Sequence, residues 1–154
     1  MKVHTNSAEE TQHAGKTFAK KLHGGDVILL YGNLGAGKTT FVQGLAKGLG
    51  IEKRIISPTF IIVRRYEIPS VILVNEVNPG SDSGQARMTV RTFYHIDLYR
   101  TQTEDDVKGL GIDEILEEKD AIVAIEWPEK LGSFLPKKRW ELRFENHDIE
   151  EEYN

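Results

Sequence analysis

Gly32-Asn33-Leu34-Gly35-Ala36-Gly37-Lys38-Thr39-Thr40 reads G-x-x-x-x-G-K-T, the spacing of a phosphate-binding P-loop. Each residue type has a chemical reason. Glycines at 32, 35 and 37 let the backbone turn with unusual φ values and approach a ligand with no Cβ in the way. The amides of Gly35, Ala36, Gly37, Lys38, Thr39 and Thr40 then converge on one anion, and the helix that follows adds its positive N-terminal end. Lys38 supplies a mobile charge for β/γ-phosphates. The Thr39 hydroxyl is a hard oxygen suited to Mg²⁺.

The surroundings match the motif. Asp26-Val27-Ile28-Leu29-Leu30-Tyr31 is a short apolar, β-branched run that predicts a buried strand. Phe41, Val42, Leu45, Ala46 and Leu49 recur at helical spacing, and Gly50 stands where a helix-ending glycine belongs. Gly makes up about 7% of average composition, so the four fixed positions coincide by chance in roughly one chain in a few hundred. The bland alternative is a glycine-rich strand-to-helix turn that binds nothing; the strand and helix on either side argue against it.

A chain of 154 residues with 39% hydrophobic and 29% charged residues fits one soluble domain with a real core. Its net charge of −4 argues against a sequence-independent grip on nucleic acid, which needs a basic face. The absence of cysteine excludes disulfides and thiolate metal sites and suits a reducing compartment. Met1-Lys2-Val3-His4-Thr5 lacks the apolar core of a signal peptide, and no stretch has the length of a membrane span. The expectation is a cytoplasmic protein with no membrane partner.

Upstream of the loop, Ser7-Ala8-Glu9-Glu10 has the form of a capping box, and Thr11, Ala14, Gly15, Phe18, Ala19 and Leu22 follow at helical spacing, predicting a helix over 8–22. It reads first as a packing element and second as a helix whose start touches a nucleotide base. Downstream, Ser57-Pro58-Thr59-Phe60 opens a strand over 60–66. Thr59 is either a strand-start residue or a hydroxyl near a γ-phosphate. Residues 69–92 predict a hairpin around the turn-rich Asn78-to-Gly84 stretch. In the strand Phe93-Tyr94-His95-Ile96-Asp97-Leu98-Tyr99-Arg100, alternation puts His95 and Asp97 on one face. The apolar run Ala121–Ile125 ends abruptly at Glu126-Trp127-Pro128-Glu129. Acids at strand ends, where ligands bind in open α/β sheets, suit a nucleotide-bound Mg²⁺ and its water, so Asp97 and Glu126 are expected to meet Thr39. Two short acidic helices separate these strands, starting near Thr103 and Gly111, and a strand over 139–145 precedes an acidic tail that is expected to be disordered. The histidines at 4, 13, 23, 95 and 147 show no metal-ligand spacing.

Taken in order, the P-loop, Ser57-Pro58-Thr59-Phe60, Tyr94-His95-Ile96-Asp97-Leu98-Tyr99-Arg100, Gly111-Ile112-Asp113-Glu114 and Glu126-Trp127-Pro128-Glu129 resemble the TsaE (YjeE) family of bacterial ATPases, over about Ser7 to Phe144. The resemblance implies an α/β fold, a P-loop NTPase-like three-layer sandwich with a mixed, partly antiparallel central sheet. It implies one ATPase domain over 1–154, with the hairpin as an insertion at about 69–92 and the acidic tail at about 146–154. It implies ATP and Mg²⁺ as cofactors and the TsaB–TsaD heterodimer as partner, in making N6-threonylcarbamoyladenosine at position 37 of ANN-decoding tRNAs, with tRNA met only through the complex. By position, Lys38 holds phosphates, Thr39 ligates Mg²⁺, and Asp97 is a second-shell or water-linked partner of the metal. Glu126 is the acid at the metal that orients the attacking water. Thr59 matches a switch-like threonine, Trp127 sits beside the nucleotide, and Ser7 to Thr11 lie near the adenine.

Two departures from the family pattern stand out: the 69–92 hairpin is long, and the C-terminus looks short by about a strand. Two rival readings share the P-loop. A small-molecule kinase would need an arginine-bearing lid, and no convincing segment for one is present. A pure binding module would use nucleotide only to order a docking surface. The guanine signature N-K-x-D is absent, which disfavours a GTPase.

Overall fold

Val27–Tyr31 is apolar along its length because helices cover the sheet on both sides of it. The computed structural model describes residues 1–58, 62–69, 92–145 and 147–154. These form a seven-stranded sheet. In chain order the strands are β1 (Lys2–His4), β2 (Val27–Tyr31), β3 (Val63–Glu67), β4 (Thr92–Asp97), β5 (Ala121–Glu126), β6 (Trp140–Glu145) and β7 (Asp148–Tyr153). Their spatial order is β1-β7-β6-β2-β5-β4-β3. The four central strands β6, β2, β5 and β4 run parallel; β7, β1 and β3 run antiparallel to their neighbours. The sheet is therefore mixed, as expected, and its antiparallel pairs lie at the two margins.

Helices α1 (Ala8–Phe18) and α2 (Lys38–Gly48) cover one face, over a core that includes Phe18, Ile28, Leu30, Phe41, Leu45 and Phe144. Helices α3 (Glu104–Lys108) and α4 (Ile112–Glu117), with a 3₁₀ segment Pro128–Phe134, cover the other, over Leu29, Ile96, Leu98, Ile112, Ile125 and Leu131. Three layers result. Alternation along β4 and β5 assigns His95, Asp97, Ala124 and Glu126 to the α1/α2 side.

The α1–α2 contact is unusually close. A Cβ placed on Gly44 would stand 1.9 Å from the Gln12 carbonyl oxygen, and one on Gly15 2.2 Å from that of Phe41. Backbone meets backbone along this seam, and only glycine permits it. The helix predicted over 8–22 forms as α1 followed by a 3₁₀ turn, Ala19–Lys21. Its cap differs slightly from a capping box. Ser7 Oγ accepts from the Glu10 amide at 3.1 Å, but the Glu10 carboxylate accepts from Asn6 N–H at 2.7 Å, one residue early. Gly50 follows the α2 C-cap at φ 82°, as its position predicts.

Three expectations need correction or fall outside what is described. The acidic tail is ordered: β7 pairs with β6 on one side and β1 on the other. The charges of Asp148, Glu150 and Glu151 are met by neighbours, which a local reading of Glu150-Glu151-Glu152 overlooks. Asp148 pairs with Lys2 at 2.9 Å and with His4 at 2.7 Å, Glu151 pairs with Lys21, Ile149 enters the core, and Tyr153 packs on Trp140 at 4.8 Å between ring centroids. The C-terminus consequently does not lack the further strand; β7 is that strand. β1 carried no signal of its own. The strand predicted over 60–66 is seen as β3, and Phe60 and Ile61 lie outside the described residues, as do Thr59 and the body of the predicted hairpin, 70–91.

Candidate active site

Strand β2 delivers the chain at its carboxyl end into the glycine-rich turn, and the turn delivers it into α2. Gly32, Gly35 and Gly37 have φ of 144°, 78° and 97°, the left-handed side that other residues avoid. A Cβ at Gly32 would lie 2.8 Å from Phe144 O, so the turn is pressed against the end of β6. At Gly35 a Cβ would meet nothing within 4 Å, so that glycine faces open space. Gly37 is the N-cap of α2 and gives it no side-chain cap. The first-turn amides of α2 thus lie at an open concave turn, with the helix dipole behind them.

Lys38 is 5% exposed. Its Nζ donates to Gly32 O, and to Asn33 O at 2.9 Å, and it lies 4.5 Å from the centroid of the Trp127 ring. Burial pushes its ammonium below the usual lysine range, against the opposing pull of Glu126, Glu129 and Asp97. Trp127 adopts φ 59°, uncommon for a bulky residue, at the step from β5 into Pro128. Its other ring neighbour is Tyr99, at 5.0 Å. The strained backbone aims an aromatic face at the P-loop lysine.

Thr39 Oγ1 donates to Glu126 Oε1 at 2.9 Å, joining the start of α2 to the end of β5. With its proton given to the carboxylate, the hydroxyl oxygen keeps lone pairs for a cation. Asp97 stands in register beside Glu126 at the end of β4. Its Oδ1 accepts from the Tyr99 amide at 2.9 Å and its Oδ2 from Ser57 Oγ at 3.3 Å. Asp97 and Glu126 are each 3% exposed. No group of three His, Cys, Asp or Glu among the described residues is arranged to hold a metal unaided. One hydroxyl and two nearby carboxylates, all hard oxygens, suit Mg²⁺, which commonly takes one or two protein ligands and completes its shell from phosphates and water.

The sequence-predicted residues are thus brought together unevenly. Gly35, Ala36, Gly37, Lys38, Thr39 and Thr40 form the turn and first helical turn; Glu126, Asp97 and Trp127 surround it. Thr11 adjoins it from α1: its Cγ2 is 3.6 Å from where a Cβ on Gly37 would sit, and its Oγ1 is 3.0 Å from Thr5 Oγ1. Ser7 is engaged as the α1 cap, and its side chain is otherwise exposed. A cavity of about 720 Å³ lies beside α1 on the β1/β7 side, over Phe18, Phe41, Leu142 and Ile149. Nearby on β3, Arg65 bonds to Thr92 Oγ1 at 3.3 Å, and Arg64 stands opposite His95 in the β3–β4 register.

Sequence reasoning gave His95 no role. Its Nε2 lies 2.8 Å from Glu126 Oε1, and its side chain is wholly buried. The shared face with Asp97 was a usable signal, but the partner lies 31 residues away on another strand. Ser57 was likewise quoted without a role.

A sheet with a parallel centre, a strand–turn–helix unit at its carboxyl margin and acids on the adjacent strand ends define a domain of the P-loop class. A family model described as "Threonylcarbamoyl adenosine biosynthesis protein TsaE" matches residues 5–153, and the chain belongs to that family. The Bacillus subtilis protein of that name is 36% identical over 142 residues, 92% of this chain and 75% of its own length. The Synechocystis protein is 40% identical, over 79% of this chain and 66% of its own length. The crystal structure of Bacillus subtilis YdiB superposes with a TM-score of 0.67 at 28% identity, covering 99% of this chain and 83% of that one.

Proposed function

We propose that this chain is a Mg²⁺-dependent ATPase, required with TsaB and TsaD for formation of the threonylcarbamoyl group on adenosine 37 of ANN-decoding tRNAs. The relatives are named for tRNA threonylcarbamoyladenosine biosynthesis, which supports the pathway. The observation that carries the chemistry is the bond between Thr39 Oγ1 and Glu126 Oε1, 2.9 Å, at the head of the helix that follows the glycine-rich turn.

On this reading the amides from Gly35 to Thr40 cradle the phosphates, and Lys38 leaves its loop carbonyls to neutralise the β/γ-oxygens. Thr39 and Glu126 would hold Mg²⁺, with Asp97 acting through water. The ion, when bound, supplies charge neutralisation across the transferring phosphoryl group. Glu126 orients the attacking water and Trp127 flanks the nucleotide. Thr59 is the switch-like hydroxyl, and the Ser7–Thr11 segment lies by the base. Phosphoryl transfer asks for such positioning and charge stabilisation more than for covalent help. The whole of 1–154 acts as one ATPase domain in the cytoplasm, and tRNA is met only through the complex. Among the described residues no helix is long and apolar enough to cross a membrane.

Calorimetry and phosphate release test the assignment together. Wild-type protein takes up ATP with Mg²⁺ and releases phosphate. Glu126→Ala keeps nucleotide uptake and loses hydrolysis, while Lys38→Ala loses both. Normal hydrolysis by Glu126→Ala would remove Glu126 from its role.

A further inference from the structure

Glu126 Oε1 takes two hydrogen bonds, one from Thr39 Oγ1 at 2.9 Å and one involving His95 Nε2 at 2.8 Å. We propose that His95 is a positioning residue for Glu126, fixing the carboxylate so that Oε1 serves the Thr39 side and Oε2 is the oxygen presented to the reacting water. The inference rests on the ATPase reading above.

The geometry argues it in three steps. An ionised carboxylate only accepts, so the bridging proton belongs to His95 Nε2. Neither donor engages Oε2, and the two donors come from different elements, α2 and β4, so together they fix the carboxylate plane more firmly than either alone. Finally, His95 is 0% exposed, and its Nδ1 has no hydrogen-bond partner among the described residues. Leaving a buried ring nitrogen unpaired is unfavourable. An apolar residue would fill this position, between Phe93 and the Glu126 level of the sheet, without that penalty. The imidazole is explained by the one bond it makes among the described residues, and that bond goes to the acid. Partners of this kind orient the groups that touch a metal or a reacting water.

The test compares His95→Leu, which removes the donor and keeps the bulk, with His95→Gln, whose side-chain amide keeps a donor at similar reach. Single-turnover hydrolysis, ATP affinity by calorimetry and Mn²⁺ affinity by electron paramagnetic resonance are read on each, with melting temperature as a check on folding. His95→Leu should lose about ten- to a hundredfold in the hydrolytic rate or in Mn²⁺ affinity. Its ATP affinity without metal should stay near that of the wild type, and His95→Gln should recover a large part of the loss. In the unmodified protein, ¹⁵N-histidine NMR should show His95 Nε2 protonated and its proton protected from exchange. A wild-type rate and wild-type Mn²⁺ affinity in His95→Leu would overturn the inference. So would losses that follow the melting temperature and are not recovered by glutamine, or an unprotonated Nε2. If the wild type itself neither binds nor hydrolyses ATP, the ATPase reading fails first; if it does both and His95→Leu matches it, only the role of His95 fails.

Discussion

Lys38 shows how a single side chain can be prepared for a ligand. Its ammonium is buried, held by two carbonyls of its own loop and covered by an indole ring. A phosphate that draws it away meets a cation already stripped of much of its water. The same scale holds a pH-dependent contact at the sheet margin. The bond to Asp148, with help from Asn6, raises the His4 imidazole above its usual value near 6.5. Lys2 first and His4 second hold the Asp148 carboxyl below 3.8. His4 therefore contributes fully below pH 6.5 and loses its contribution as pH rises through its raised value. Asp148 contributes above 3.8 and loses its share as pH falls through its lowered value. The wild type should melt above His4→Gln between these limits, and the gap should close under alkaline conditions. A gap that is constant with pH would show the ion pair to be irrelevant to the edge strand. Lys38 and Thr39 were readable from spacing, because a phosphate-binding turn fixes residue types locally. His95 was not, because its meaning depends on a carboxylate that only the fold brings near.

At the scale of elements, the α1–α2 seam separates glycines that look alike in sequence. Gly44→Ala would drive a methyl group into the Gln12 carbonyl, whereas Gly109 has φ −64° and its nearest neighbour at 3.5 Å from an added Cβ. Gly44→Ala should cost about 1–3 kcal/mol in denaturant unfolding, as overpacking does. Gly109→Ala should be neutral or stabilising by up to about 1 kcal/mol. Equal effects would mean that the helices part freely. Elements with strong periodicity were legible: β2, α1, α2 and β5 lie close to where apolar spacing puts them. β1 and β7 were not, since a three-residue strand has too little pattern to read and a run of glutamates looks like a solvated tail. Their reason for ordering is mutual: Lys2 and His4 answer Asp148, and Lys21 answers Glu151.

For the molecule as a whole, no arginine is assigned as a finger to the P-loop. Arg65 is taken by Thr92, and Arg64 lies on β3, separated from β2 by β4 and β5. Arginine fingers are worth about 10³–10⁵ in rate in related phosphoryl-transfer systems. The isolated chain should therefore turn over slowly, and adding TsaB and TsaD together should raise the steady-state ATPase rate well above the isolated value. Equal, fast rates with and without them would place the whole catalytic apparatus in this chain. The three-layer α/β class with a mixed sheet was implied by the series of motifs, whereas the parallel run of its centre is set by strand pairings far apart in the chain. The partner-facing surface has no comparable signature, because docking faces are set by shape more than by spacing.

The glycine seam has a mechanical consequence. With carbonyls lodged against Cα atoms, α1 cannot slide or roll along α2 without steric collision. The first helix acts as a splint for the phosphate turn, and the Thr11 end and the Lys38 end travel as one block. On the ATPase reading, breathing that admits or expels a nucleotide would then come from the β4–β5 side, where Glu126, Asp97 and Trp127 sit.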